Sequence, residues 1–186
     1  MYVFSVLKYG EVTMRERSFF EAVSRRPYYI SCSDYETKFS GIKALHHLCH
    51  ALNLLGEEAY LVGATKESLK LRTPLLRESD ILRHRHSNLS PIIVYPEIVS
   101  GNPLQLPNVV RWLLNSPGHI GGEESFDDSE LLFAYSTDFV PENTLMPILR
   151  IPVVDNSIFN NIDNPNHEHR QGSCFYANKF VGYFLY

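Results

Sequence analysis

Tyr28-Tyr29-Ile30-Ser31-Cys32-Ser33, the polar stretch from Asp34 to Ser40, the run from Gly41 to Gly56, and Ala59-Tyr60-Leu61-Val62 together decide the fold. The first and last pieces are short and apolar, with the residue types that suit a pleated strand. Between them Ile42, Leu45, Leu48, Cys49, Leu52 and Leu55 recur at steps of three and four, while Lys43, His47, His50 and Asn53 fall elsewhere on the wheel. Gly41 opens this helix, Ile42 to Leu55, and Gly56 gives it a left-handed cap. Strand, loop, helix and strand make a parallel pair with a right-handed crossover, which sets the helix N-terminus at the carboxyl end of the first strand. Unpaired backbone amides there favour an anion or a sugar hydroxyl, so a ligand is expected at that end.

Beyond this unit, Ile92-Ile93-Val94-Tyr95 is an apolar run of the length of a buried parallel strand. Pro96-Glu97-Ile98-Val99-Ser100-Gly101-Asn102-Pro103 follows as a punctuated loop. A helix is expected from about Asn108 to Asn115, closed by Pro117-Gly118, and a helical piece around Leu75 to Arg83 in the polar stretch 65–90. Leu131-Leu132-Phe133-Ala134-Tyr135 gives a third strand of this kind. Ile148 to Val153 gives a fourth, pushed towards an edge by Pro147 and Pro152. Alternating strands and helices predict an α/β fold: a Rossmann-like, open and mainly parallel sheet with helices on both faces.

Residues 1–27 read as an accessory segment. Thr13-Met14-Arg15-Glu16 has the form of a capping box, the helix behind it would carry Phe19, Phe20 and Val23 inward, and Pro27 would end it. Residues 155–171 are rich in Asn, Asp and His and have the character of a linker, and Ser173-Cys174-Phe175-Tyr176-Ala177 reads as one more strand.

With 186 residues, 44% of them hydrophobic, the chain suits one ordinary domain with its own core, or one domain plus a fragment of another. A net charge of −4 argues against a nucleic-acid partner held by bulk positive charge. Cys32, Cys49 and Cys174 are odd in number and far apart, which suggests neither a disulfide framework nor a thiolate metal site and points to a reducing cytoplasm. No apolar run approaches the roughly 20 residues of a transmembrane helix. His84 with His86, His167 with His169, and His46 with His50 are pairs without further ligands at a recognisable spacing, so no metal is expected.

Tyr29 to Asp34, Ser40 to His46, Leu52 to Val62, Val94 to Pro103 and Val109 to Gly118 resemble, in order and spacing, the N-terminal half of bacterial GT-B-fold glycosyltransferases. The similarity is to retaining, nucleotide-sugar-dependent enzymes of cell-surface polysaccharide synthesis and covers roughly residues 28 to 178. The resemblance implies that residues 28–172 are an acceptor-side lobe binding a carbohydrate acceptor. It also implies that a nucleotide sugar is the donor of the complete enzyme, and that this lobe alone binds no cofactor. It implies a cytoplasmic place too, peripheral at the inner face of the membrane. A second lobe would need on the order of 150 more residues, so residues 173–186 would be only its start. The expectation is a half-enzyme, inactive in transfer alone, with a second lobe or another copy of the chain as its partner. The alternative is a non-catalytic module that docks on a partner or on itself.

Candidate binding groups come from loops at the carboxyl ends of the strands: Ser33, Asp34, Ser40 and Gly41; Glu97, Ser100, Gly101 and Asn102; and Ser136. His46, near the helix start, is a further candidate for a sugar hydroxyl. Each has a plainer explanation. Ser40 and Gly41 suit a bare helix start with Ser40 as N-cap, Glu97 suits a solvated loop acid, and His46 suits a helix flank. No catalytic residue is assigned. The G-x-G-x-x-G fingerprint of a dinucleotide-binding oxidoreductase does not follow the first strand.

Overall fold

The computed structural model describes residues 6–8, 11–13, 25–142, 144–154 and 162. In chain order the elements are β1 (Val6–Lys8), β2 (Glu11–Thr13), β3 (Tyr28–Ser31), α1 (Ser40–Leu54), β4 (Ala59–Val62), α2 (Glu78–His86), β5 (Ile92–Pro96), β6 (Asn108–Leu113) and β7 (Leu131–Ala134). β1 and β2 form a separate antiparallel pair. The other five make one sheet in the order β4-β3-β5-β6-β7, every neighbouring pair parallel. Met1–Val153 forms one compact unit and Val154–Tyr186 another.

Strand periodicity sorts the core into two layers. Ile30, Leu61 and Val94 lie in register and, with Trp112, form one buried cluster with Ala44, Leu45, Leu48 and Cys49 of α1. Tyr29, Ile93 and Tyr95 form the other, joined by Tyr60, Val62 and Val109. α2 covers this second face, its His84 ring 5.8 Å from both the Tyr29 and Tyr60 rings. The open α/β sheet with a helix on each face agrees with the sequence expectation. Full burial of Leu45 or Leu48 contributes about 2 kcal/mol each, so the apolar stripe of α1 is a main hold on the sheet.

Both ends of α1 follow from local chemistry. Gly56 has φ 81, and Glu57 N–H donates to Leu52 O at 3.0 Å, the closure that a left-handed residue permits. Asn53 then ties the helix end to β4: its Nδ2 donates to Ala59 O at 2.9 Å and its Oδ1 accepts from Ala59 N at 3.2 Å. At the other end the N-cap is Phe39, without a side-chain cap, and Ser40 is the first helical residue. Ser40 is therefore not the expected N-cap.

The expected helix over Asn108 to Asn115 is strand β6. Val109, Val110, Trp112 and Leu113 are apolar on every side, a pattern shared by a short buried helix and a central strand. Pairing with β5 and β7 decides between them, and β-branched valines favour it. Ile148 to Val153 is not a named strand. It touches β7 through the single bridge Ala134–Ile148, then lays Leu149, Ile151 and Val153 over the α1 side of the sheet. Thr13 closes β2, while the helix expected behind it and the segments expected at 155–171, apart from Ile162, and at 173–177 lie outside the described residues.

Candidate functional site

Strand order singles out one place on the rim. From β3 the chain leaves through α1 to β4 on one side and returns through α2 to β5 on the other, so β3 and β5 meet at a topological switch point. Ligands of open α/β sheets bind outside the carboxyl ends of the strands at such a point. Residues 32–39 after β3 and 97–107 after β5 line it. Ser33, Asp34, Ser40, Gly41 and Glu97 thus share one rim although the two loops lie far apart in sequence.

Contacts across the rim are specific. The Glu97 carboxylate is buried and accepts from Leu114 N–H at 2.8 Å, immediately beyond β6. Leu114 Cδ1 in turn lies 3.6 Å from where a Cβ on Gly41 would stand. Gly41 therefore faces a leucine at ordinary contact distance. Gly122 passes so close to the Glu97 carbonyl that a Cβ would lie 2.2 Å from that oxygen, which makes glycine obligatory there. Glu97 is a buried acid at a loop junction, not a solvated one.

Asp34 bridges two rim loops. Its carboxylate accepts from Thr65 N at 2.6 Å, Thr65 Oγ1 at 2.7 Å and Lys66 N at 2.9 Å. Those bonds, the Thr65 hydroxyl first, hold its carboxyl below the usual range. Asn102 is occupied within its own loop, donating to Leu106 O at 2.8 Å and accepting from Tyr95 Oη at 3.3 Å. Ser100 and Gly101 are exposed, and the Gly101 carbonyl accepts from Arg111. Ser136 caps a short 3-10 turn, Thr137–Phe139, after β7. With β7 three places from β3, a span of about 14 Å, Ser136 is not brought to the switch point.

His46 has no solvent exposure. Its Nε2 lies 3.0 Å from the Ser33 carbonyl, its Nδ1 has no hydrogen-bond partner among the described residues, and the Tyr35 ring meets it edge-on at 5.1 Å. Burial lowers its pKa, so the ring is neutral near pH 7. The helix flank expected for His46 is in fact the interface between α1 and the β3 loop.

Two polar clusters escaped the sequence reading. Arg111 is fully buried between the Tyr95 and Phe126 rings, 5.2 and 4.9 Å from their centres. It forks onto Glu130 at 2.8 and 2.7 Å and donates to the Val99 and Gly101 carbonyls. A guanidinium inside an apolar run must find such partners, so Arg111 within Val109 to Leu114 was the available signal. The second cluster joins Tyr29 Oη to His84 Nδ1 at 2.7 Å and His84 Nε2 to Glu58 at 3.0 Å, with Arg83 and Tyr60 also on that carboxylate. His84 belongs to helix α2.

The rim offers hydrogen-bonding groups, backbone amides and aromatic rings. Burial pushes the Cys32 and Cys49 thiols up to about 12, which keeps them protonated and poorly nucleophilic. Among the described residues no three His, Cys, Asp or Glu side chains are grouped to hold a metal, and no helix is long and apolar enough to cross a membrane. Compared with models of known families, with curated proteins and with solved structures, the chain matches none.

Proposed function

We propose that the sheet unit is the acceptor-side lobe of a nucleotide-sugar-dependent GT-B glycosyltransferase of surface polysaccharide synthesis. One observation carries this reading. The two segments on which the resemblance leans most, Ser40 to His46 and Val94 to Pro103, end at the same rim through the adjacent strands β3 and β5. Convergence at a switch point is what a binding crevice requires and what similarity along a chain does not supply.

The chemistry on that rim supports the same reading. Hydroxyls, amides and exposed aromatic rings suit a hydroxylated acceptor. Ser33, Ser40, Gly41, His46, Ser100 and Gly101 are the groups assigned to contact it. Asp34, Glu97 and Asn102 hold the loops that carry them. The donor nucleotide sugar belongs to a second lobe, and transfer needs both reactants in one geometry, because the effective molarity vanishes when one binding surface is missing. A cytoplasmic place, peripheral to the inner face of the membrane, belongs to this reading.

Calorimetric titration of the purified chain with oligosaccharides of surface-polysaccharide type and with nucleotide sugars tests it. Oligosaccharides are expected to bind, with nucleotide sugars weak and transfer negligible. Binding of nucleotide sugars alone, or turnover of about 1 per second or faster by residues 1–186, would overturn the assignment.

A further inference from the structure

We propose that His46 Nδ1 accepts a hydrogen bond from a hydroxyl group of a neutral sugar, and that the Tyr35 ring is the movable cover of this subsite. The proposal rests on the carbohydrate reading of the rim and adds to it the polarity of the group recognised. A carbonyl oxygen only accepts, so the Nε2 that contacts Ser33 O at 3.0 Å carries the ring proton. In a neutral imidazole the other nitrogen is then an acceptor. That nitrogen is fully buried and meets no donor among the described residues.

Buried acceptors without a donor are uncommon. Only one other buried side-chain atom among the described residues shares this condition, Thr73 Oγ1, and it is no part of the rim. A phosphomonoester dianion, a sulfate or a carboxylate brings no proton to donate, and a hydroxyl does. His46 thus selects for the neutral, hydroxylated part of a substrate over its anionic part, although the start of α1 taken alone would favour an anion.

The cover follows from the loop. Tyr35 stands edge-on to His46 and is 36% exposed, and Phe39 at the N-cap of α1 is 54% exposed. Asp34 anchors one end of this short loop on Thr65 and Lys66, and α1 fixes the other. Rotation of the Tyr35 side chain between those anchors opens a way to Nδ1. Its ring and that of Phe39 then offer flat apolar faces to the C–H side of a sugar.

Side-chain 15N NMR of the whole chain tests this with methyl glucoside, methyl mannoside, methyl rhamnoside and sulfate as probes. Before any addition, the His46 proton is expected on Nε2 and Nδ1 at the frequency of an unbonded imine nitrogen. At least one glycoside is expected to move Nδ1 towards the hydrogen-bonded value and to shift the Tyr35 ring, and sulfate to move neither. His46→Gln is expected to weaken that glycoside about tenfold, the worth of one ordinary hydrogen bond. A proton on Nδ1, an Nδ1 already hydrogen-bonded without sugar, or a response to sulfate there overturns the proposal. A glycoside that shifts the amides of 97–102 and leaves Nδ1 unmoved also overturns it, while the carbohydrate reading of the rim survives. No response to any glycoside at either loop removes both.

Discussion

From β3 to β5 each crossover carries a helix, whereas from β5 to β7 neither does. A helix satisfies its own backbone and can rest on the sheet through side-chain burial alone, as α1 does through Leu45, Leu48 and Cys49. An irregular crossover has backbone groups that need other partners. In the second half, long polar side chains supply them. Arg111 holds the Val99 and Gly101 carbonyls and Asn102 holds Leu106, and in the irregular segment beyond β7 Trp112 Nε1 donates to Leu149 O at 3.0 Å and Tyr135 Oη to Ile151 O at 3.1 Å. The helical half spreads its stability over many apolar contacts, and the helix-free half concentrates it in a few hydrogen-bonded pins.

Arg111→Met should have the largest effect, in the helix-free half. It leaves Glu130 buried without its cation and frees two carbonyls, so unfolding in denaturant should show a loss of about 3–5 kcal/mol. Arg111→Met combined with Glu130→Leu should regain much of it, since the uncompensated charge is then gone. A single variant as stable as the parent would mean that the second half is held by something other than this pin.

The helical half has its own polar cluster, and pH sharpens the contrast. Arg83, with smaller help from Tyr60 and His84, lowers the Glu58 carboxyl from its ordinary 4.5 to about 2. The unfolded chain binds the proton first as pH falls, so this stabilisation is complete above about pH 4.5 and is lost as pH drops through 2. Denaturant midpoints should therefore decline over that window, and Glu58→Gln should flatten the decline. Partial exposure of Glu58 to solvent keeps the effect below that of Arg111.

Gly41→Ala is the gentlest probe, placed where the two halves touch. The added methyl meets Leu114 at ordinary contact distance, and alanine favours the helix, so thermal unfolding should shift by less than about 1 kcal/mol in the stabilising direction. A clear loss of stability would show that α1 and the segment after β6 are packed more tightly than 3.6 Å implies.

The same division governs what could be read from the residues. The unit from Tyr28 to Val62 was legible because its helix is long enough to show a period and its strands are short and bounded, and Ile92 to Tyr95 was legible for the second reason. Asn108 to Leu113 was misread because a strand buried on both faces has no alternation to display. Of the site, the loops were legible and the occupation of their side chains was not. Asp34 spends its carboxylate on Thr65 and Lys66, and Glu97 meets Leu114, because of strand neighbours that no local pattern encodes.

The order of residues alone settled an α/β chain, the period and end of α1, and that loops follow the carboxyl ends of β3, β5 and β7. Those are short-range matters, ruled by side-chain spacing and by the backbone freedom of Gly56. Only the folded sheet decided that β3 and β5 are neighbours, that Arg111 lies between two rings, and that one nitrogen of His46 is held while the other is left an acceptor. Each of these depends on which distant segments come to lie side by side, and burial and hydrogen-bond partnership are properties of that assembly rather than of any stretch of chain.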